Sequence, residues 1–259
     1  DTKIRERIGT IMPAELLTLP WLLLGLFILI AYTTEAMTGF GSIVIALSLG
    51  ALVLPLDAML PVLVPLNIFM SGYLSYKYRR HIDRQALLRL ILPMMTVGTL
   101  TGYGLYPWLG DSIVESLFGT LIVWFAARQL WLEFHGIPAQ VRSLLWTRAW
   151  MFAAGITHGL FASGGPLLVY ALSGVDLDKA RFRATLILVW FALNSLLTVV
   201  FLLDGSLMPA LPRVAAYLPI VLVGVVLGEF LHHKVDEAGF RRVVFVVLLF
   251  AGAALAWPG

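Results

Sequence analysis

Two short stretches of hydroxyl-bearing residues and glycine interrupt long apolar runs, and these are the places where this chain could hold a small ligand. The first contains Thr33, Thr34, Glu35, Thr38, Gly39, Phe40, Gly41 and Ser42. The second contains Thr157, His158, Gly159, Ser163, Gly164, Gly165 and Pro166. Serine and threonine hydroxyls donate hydrogen bonds, and glycine lets a ligand approach the backbone. Glycine and proline also interrupt a helix, one by its freedom and the other by its missing N–H. A half-helix that starts at such a break aims free amide groups and its positive dipole end into it. That combination suits an anion. The plainer alternative is that Gly39 and Gly164 only let helices pack closely.

Other polar residues are candidates of a second kind. Asn67 and Asn194 stand inside apolar runs, where a lone asparagine can glue two helices or hold a polar ligand. His158 is the one residue of the run Ala149–Val175 whose type titrates near neutral pH. It is the first candidate for proton coupling, with Glu35 as the second, and His158→Ala is expected to weaken anion binding more at acidic than at alkaline pH. The expected ligand set is therefore Thr38, Gly39, Phe40, Gly41, Ser42, Asn67, His158, Ser163, Gly164, Gly165 and Asn194. Glu229, His232 and His233 read as an interfacial cluster, since their spacing lacks further metal ligands. No catalytic residues, metal ligands or cofactor are expected. The chain has no cysteine and no phosphate loop, zinc-protease or serine-hydrolase motif.

These residues are carried by a membrane chain. Of 259 residues, 60% are hydrophobic and 13% charged, and the mean hydropathy is +0.91. A soluble protein of this size could not cover so much apolar surface. Spanning helices need about 20 apolar residues. Uncharged runs at Leu16–Thr34, Ala36–Leu56, Ala58–Tyr76, Leu90–Gly110, Ser116–Ala127, Ala149–Val175, Ala184–Leu203, Val214–Gly228 and Val243–Gly259 predict seven to nine segments. The short alternating strands of a barrel are absent, so the fold class is all-α and polytopic. The first dozen residues are too charged for a signal core and are expected to belong to the mature chain. Trp21, Trp108, Trp131, Trp146 and Trp257 fall near run ends and read as interfacial anchors. Nothing suggests nucleic acid as a partner.

The two halves resemble each other. Pro93, Val97, Gly98 and Gly102 match Pro219, Val223, Gly224 and Gly228 at one constant spacing. Asn67 and Asn194, Thr38–Gly39 and Ser163–Gly164, and Trp131 and Trp257 fall within one residue of that spacing. One membrane domain over 1–259 is expected, with repeat one at about 16–132, a loop over 133–148 and repeat two at about 149–257. Each repeat would open with a broken or re-entrant helix pair, at Thr34–Ser42 and at His158–Pro166. Three further crossings per repeat would then invert the second repeat. Placing the Lys77–Arg89 loop in the cytoplasm leaves only Lys3, Arg5, Arg7 and Arg213 outside, as the positive-inside rule prefers. The string from Asp176 to Arg183 reads as a solvated loop. Secondary transporters commonly bind substrate between such repeats.

The breaks and the proline–glycine–glycine span resemble the sulfite exporter TauE/SafE family, also called the toluene-sulfonate uptake permease family. Gly159-Leu-Phe-Ala-Ser-Gly-Gly-Pro166 and Lys179-Ala-Arg-Phe-Arg-Ala-Thr185 carry the likeness. Thr38-Gly-Phe-Gly-Ser42 is poorer in glycine than the family's pattern, and Ala58 stands where a hydroxyl residue is frequent. The resemblance implies a secondary transporter in the cytoplasmic (inner) membrane that moves a sulfur-containing anion such as sulfite, a sulfonate or sulfoacetate, driven by an ion gradient. An anion channel of the same fold is the nearest alternative, and a membrane-embedded enzyme the more distant one. The expected partners are a small anionic substrate and the bilayer, with a homodimer as an option.

Overall fold

The computed structural model describes residues 18–38, 41–135, 143–172, 178–231 and 237–256. The described chain is helical. Its helices are α1 (Leu19–Thr38), α2 (Ser42–Gly50), α3 (Leu56–Lys77), α4 (Arg84–Trp108), α5 (Asp111–His135), α6 (Leu144–Phe161), α7 (Gly165–Leu172), α8 (Lys179–Leu203), α9 (Leu207–Leu231) and α10 (Glu237–Ala256). Side-chain caps start several of them. Asp83 accepts from the Ala86 N–H, Ser143 from that of Trp146, and Asp178 from those of Ala180 and Arg181. Pro61 and Pro65 lie inside α3, and Pro212 and Pro219 inside α9. Such positions are tolerated where neighbouring helices satisfy the freed carbonyls.

Among the described residues, six helices are long and apolar enough to cross a membrane: α1, α3, α4, α5, α8 and α9. A seventh apolar stretch, Arg242–Ala256, is shorter. The sequence count of seven to nine is higher because the run Ala36–Leu56 yields the short α2, and Ala149–Val175 divides between α6 and α7. Outward faces are apolar, as lipid requires: Leu203 is 81% exposed, Phe250 71% and Val226 67%. The interior is packed by Leu24, Ile28, Leu63, Leu66, Phe118 and Phe161.

Four helix pairings build the molecule: α4 on α6, α1 on α9, α3 on α8 and α5 on α10. Close approach explains the glycines matched in the sequence. A Cβ on Gly102 would stand 2.1 Å from the Ile156 carbonyl oxygen, and one on Gly228 would stand 2.5 Å from that of Thr33. Residue pairing sets the directions. Gly98 faces Gly155 and Gly102 faces Ile156, so α4 and α6 run parallel. Trp21 meets Tyr217 and Thr33 meets Gly228, so α1 and α9 do likewise. Asn67 meets Asn194, Gly72 meets Phe191 and Asp83 meets Thr185, so α3 and α8 run antiparallel. Helix α2 folds back along α1, because Gly50 lies against both Leu24 and Met59.

The breaks are shorter than the sequence predicts. Thr33, Thr34, Glu35 and Thr38 lie within α1, and Thr157 and His158 lie within α6. Thr33 and Thr34 return their hydroxyls to the Leu29 and Ile30 carbonyls, each at 2.7 Å, so they need no break to be satisfied. Gly39 and Phe40 lie outside the described residues, as do Asp176, His232, His233 and Trp257. The predicted solvated loop up to Arg183 is helical from Lys179, because Asp178 caps α8 there. The expected loop Glu133–Arg148 is narrower too: α5 continues to His135 and α6 begins at Leu144.

Candidate functional site

The site is built where two chain reversals face the middle of α3 and α8. Gly41, at φ +108°, precedes α2 and takes a backbone conformation that favours glycine. Ala162, at φ +51°, takes the left-handed conformation without being glycine, at a cost of about 1–3 kcal/mol. Strain of that kind persists only where the surroundings over-determine it. Here it turns the chain sharply enough for Ser163 and Gly164 to pass from α6 into α7. Gly164 sits tightly in that turn, since a Cβ there would be 2.4 Å from the Ala154 carbonyl oxygen and 2.9 Å from the His158 Cβ.

At the first reversal a carboxylate fills the start of a helix. Glu35 is buried, and its Oε2 accepts from the Ser42 N–H at 2.8 Å. Asn67 Nδ2 lies 3.3 Å from both Glu35 oxygens and 2.9 Å from Ser42 Oγ. Asn194 Nδ2, from α8, donates to Asn67 Oδ1 at 2.7 Å. A hydrogen-bonded chain thus runs from Glu35 through Asn67 to Asn194 and joins α1, α2, α3 and α8.

Beyond that chain the polarity is unsatisfied. Ser163 Oγ, Asn194 Oδ1 and Trp190 Nε1 are buried without a hydrogen-bond partner. Glu35, Gly41, Asn67, Ser163, Trp190 and Asn194 all line one narrow cleft. Buried polar groups are normally paired, and orphans of this kind mark places where a polar ligand or water belongs. Glu35 is the one acidic residue lining the cleft among the described residues.

Of the expected site residues, Gly41, Ser163, Gly165, Asn67, Asn194 and Glu35 are brought to this cleft. Ser42 adjoins it through Glu35 and Asn67. Gly164 packs behind it, and Thr38 ends α1. His158 does not line it. Its ring is fully buried, neither nitrogen has a partner, and it stacks on Trp190 with centroids 5.9 Å apart. Sequence reasoning passed over Trp190, whose signal was a tryptophan in the middle of a run when the others stand near ends. It placed Arg183 in a solvated loop, whereas the structure sets it in α8 and part-buried. That guanidinium donates to the Ala36 carbonyl at 2.6 Å, one residue from Glu35, at the end of α1 where a cation complements the helix dipole.

A second, wider cleft adjoins the first through Ala162. Asp57, Tyr103, Tyr106, Asp204 and Ser206 line it. Burial acts to raise the Asp204 carboxyl pKa. Hydrogen bonds from the Tyr103 phenol and from Ser206 outweigh this and hold it below the usual aspartate value. Arg79, Arg80, Arg181 and Arg183 gather at the opposite end of the bundle, where Asp83 meets Thr185.

Comparison with known proteins places this arrangement. Residues 24–255 match the family described as Sulfite exporter TauE/SafE. The chain is 30% identical over 209 residues to the "Probable inner membrane transporter protein TsaS" of Comamonas testosteroni, covering 80% of this chain and 82% of that protein. It is 29% identical over 262 residues to the "Probable sulfite/organosulfonate exporter TauE" of Cupriavidus necator, covering 95% and 97% respectively. No solved structure matches the chain. The match runs through both reversals and all ten helices, so the chain belongs to the TauE/SafE sulfite exporter family, a family of membrane transporters and not of enzymes.

Proposed function

We propose that this protein is a proton-coupled secondary transporter of the inner membrane, carrying a small sulfur-containing oxyanion of the sulfite, sulfonate or sulfoacetate type. The observation that carries the reading is the buried cleft in which Ser163 and Trp190 hold unpartnered donors beside the start of α7. An oxyanion there meets the Ser163 hydroxyl, the Trp190 indole N–H and the positive end of the helix dipole. The name of the Cupriavidus necator relative, a probable sulfite/organosulfonate exporter, points to the same substrate class.

The two halves act as inverted repeats in this reading. The pairing of α4 on α6 is reciprocated by α9 on α1, and the antiparallel α3–α8 pair places Asn67 against Asn194. Helices α2 and α7 are re-entrant arms whose tips meet at mid-depth. Alternating access follows when one half rocks against the other around that fixed site. Proton coupling falls to Glu35, which lines the cleft, in preference to His158, which does not. An anion beside an ionised Glu35 would set two negative charges together, so the proton and the anion travel as a pair.

The test is flux into proteoliposomes with sulfite, methanesulfonate, sulfoacetate, sulfate and acetate. Saturable uptake of the sulfur anions is expected. Ser163→Ala should raise the half-saturating concentration by about tenfold, the effect of losing one hydrogen bond to a charged group. Flux that rises linearly with concentration would identify a channel. Equal flux in Ser163→Ala would remove the cleft as the binding site.

A further inference from the structure

We propose that the Asn67–Asn194 amide pair reports the protonation state of Glu35 to the anion cleft by turning end for end. The inference rests on the reading of the cleft as an anion site. A carboxamide carries an acceptor on one side and a donor on the other, in nearly the same shape. An ionised carboxylate only accepts. Facing it, Asn67 must present Nδ2, which lies 3.3 Å from both Glu35 oxygens. Its Oδ1 is then left for α8 and takes the Asn194 Nδ2 at 2.7 Å. Asn194 therefore leaves its Oδ1 over, buried and without a partner, at the wall of the cleft. Next to Ser163 and Trp190 stands an acceptor, which repels an oxyanion.

A proton taken from water onto Glu35 reverses each step. The carboxyl O–H donates to Asn67 Oδ1 once that amide turns, while the Ser42 N–H stays on the other carboxyl oxygen. Asn67 Nδ2 then donates to Asn194 Oδ1, and Asn194 presents its NH₂ to the cleft. The cleft exchanges an acceptor for a donor without any change of volume. Ser42 Oγ, which accepts from Asn67 in the ionised state, rotates to donate instead. The anion and the proton are linked through two side chains, and the link does not depend on direct contact between the two charges.

Few other charges reach Glu35. On its own helix, Tyr32 donates to the Leu63 carbonyl at 3.2 Å. Helix α2 carries no titratable side chain. From α8, Arg183 is held on the Ala36 carbonyl. From α3 and α9, Lys77 and Glu229 pair with each other, while Arg213 and Tyr217 of α9 stand at the far end of α1 against Trp21. His158 of α6 stacks on Trp190, a residue of the cleft wall.

Methanesulfonate is the probe, because it does not titrate near neutral pH and any pH dependence belongs to the protein. Binding to the full chain in detergent is measured between about pH 5 and about pH 8, the range in which buried carboxyl groups commonly titrate. Wild-type protein should bind at least about tenfold more tightly at the acidic end. Glu35→Gln should bind tightly at both ends, since its amide can donate to Asn67 as a carboxyl O–H does. Asn67→Leu and Asn194→Leu, each checked by melting, should bind with no pH slope. A wild-type slope in either overturns the relay, because Glu35 would then act through space. Asn67 and Asn194 are the only asparagines in the chain. With asparagine labelled at the amide carbon, their infrared carbonyl band should shift on acidification without anion, and should stay fixed in Glu35→Gln. An unshifted wild-type band overturns the relay whatever the variants do. If neither methanesulfonate nor sulfite binds wild-type protein at any pH while the band still shifts, the site reading fails and the amide relay stands alone.

Discussion

At the scale of single residues, the proposed coupling exchanges the roles that the types of His158 and Glu35 suggest. Histidine has the better intrinsic pKa for a proton carrier, and on that ground it reads as the coupling group. Position favours the reverse order: Glu35 lines the cleft and is hydrogen-bonded to Asn67, which in turn holds Asn194, while His158 is sealed behind Trp190 with two unpartnered nitrogens. A buried polar ring without partners costs stability, and an apolar ring of similar size removes that cost. His158→Phe is therefore expected to melt no lower than the wild type and to keep its pH slope of anion binding. Loss of the slope would return coupling to the histidine. The polar residues of the cleft were legible because polarity inside an apolar run is itself a signal, as with Glu35, Asn67, Asn194 and Ser163. Trp190 was not, since an indole suits lipid, core and cleft equally and only its unpaired N–H distinguishes the case.

At the scale of elements, the glycines and prolines of the sequence located both reversals but not their extent. Glycine permits a break without requiring one. Helix α1 continues through Glu35 because Ser42 and Asn67 satisfy the carboxylate from outside the helix. Helix α6 continues through His158 and Gly159 until Ala162 turns left-handed, a conformation that no sequence rule assigns to alanine. The glycines of the matched string have a firmer reading, since their spacing fits helix–helix contact. Gly102 and Gly104 give the contrast that tests it. A Cβ on Gly102 would press on the Ile156 backbone at 2.1 Å, whereas one on Gly104 meets nothing within 4 Å. Gly102→Ala must push α4 away from α6 and should destabilise by about 1–3 kcal/mol. Gly104→Ala should leave the melting temperature unchanged or slightly raised, and equal melting of the two variants would show that the α4–α6 contact yields freely.

At the scale of the whole molecule, charge is sorted by end. Arg79, Arg80, Arg181 and Arg183 gather where α3 ends and α8 begins, and the acidic wider cleft lies at the other end, with the Glu35 cleft between them. In the orientation the positive-inside rule prefers, the arginine end would lie in the cytoplasm and the Asp57–Asp204 cleft would face outward. Fixed charges at the two mouths alter rates of entry and exit, but they cannot set the direction of net transport, which belongs to the gradients. Coupling by Glu35 makes a definite statement about those gradients. In the proposed coupling one proton moves with one anion, so a monovalent sulfonate would cross as a neutral pair and a divalent anion with one net negative charge. Membrane potential acts only on the net charge, at about 2.3 kcal/mol per 100 mV for each unit. An inside-negative potential would then drive a divalent anion outward, while a pH gradient alone would drive methanesulfonate. In proteoliposomes, methanesulfonate flux should follow an imposed pH difference and ignore a potassium–valinomycin potential, whereas sulfite at alkaline pH should respond to both. Methanesulfonate flux driven by voltage alone would mean that the anion travels without its proton, and Glu35 would then be a fixed part of the cleft wall.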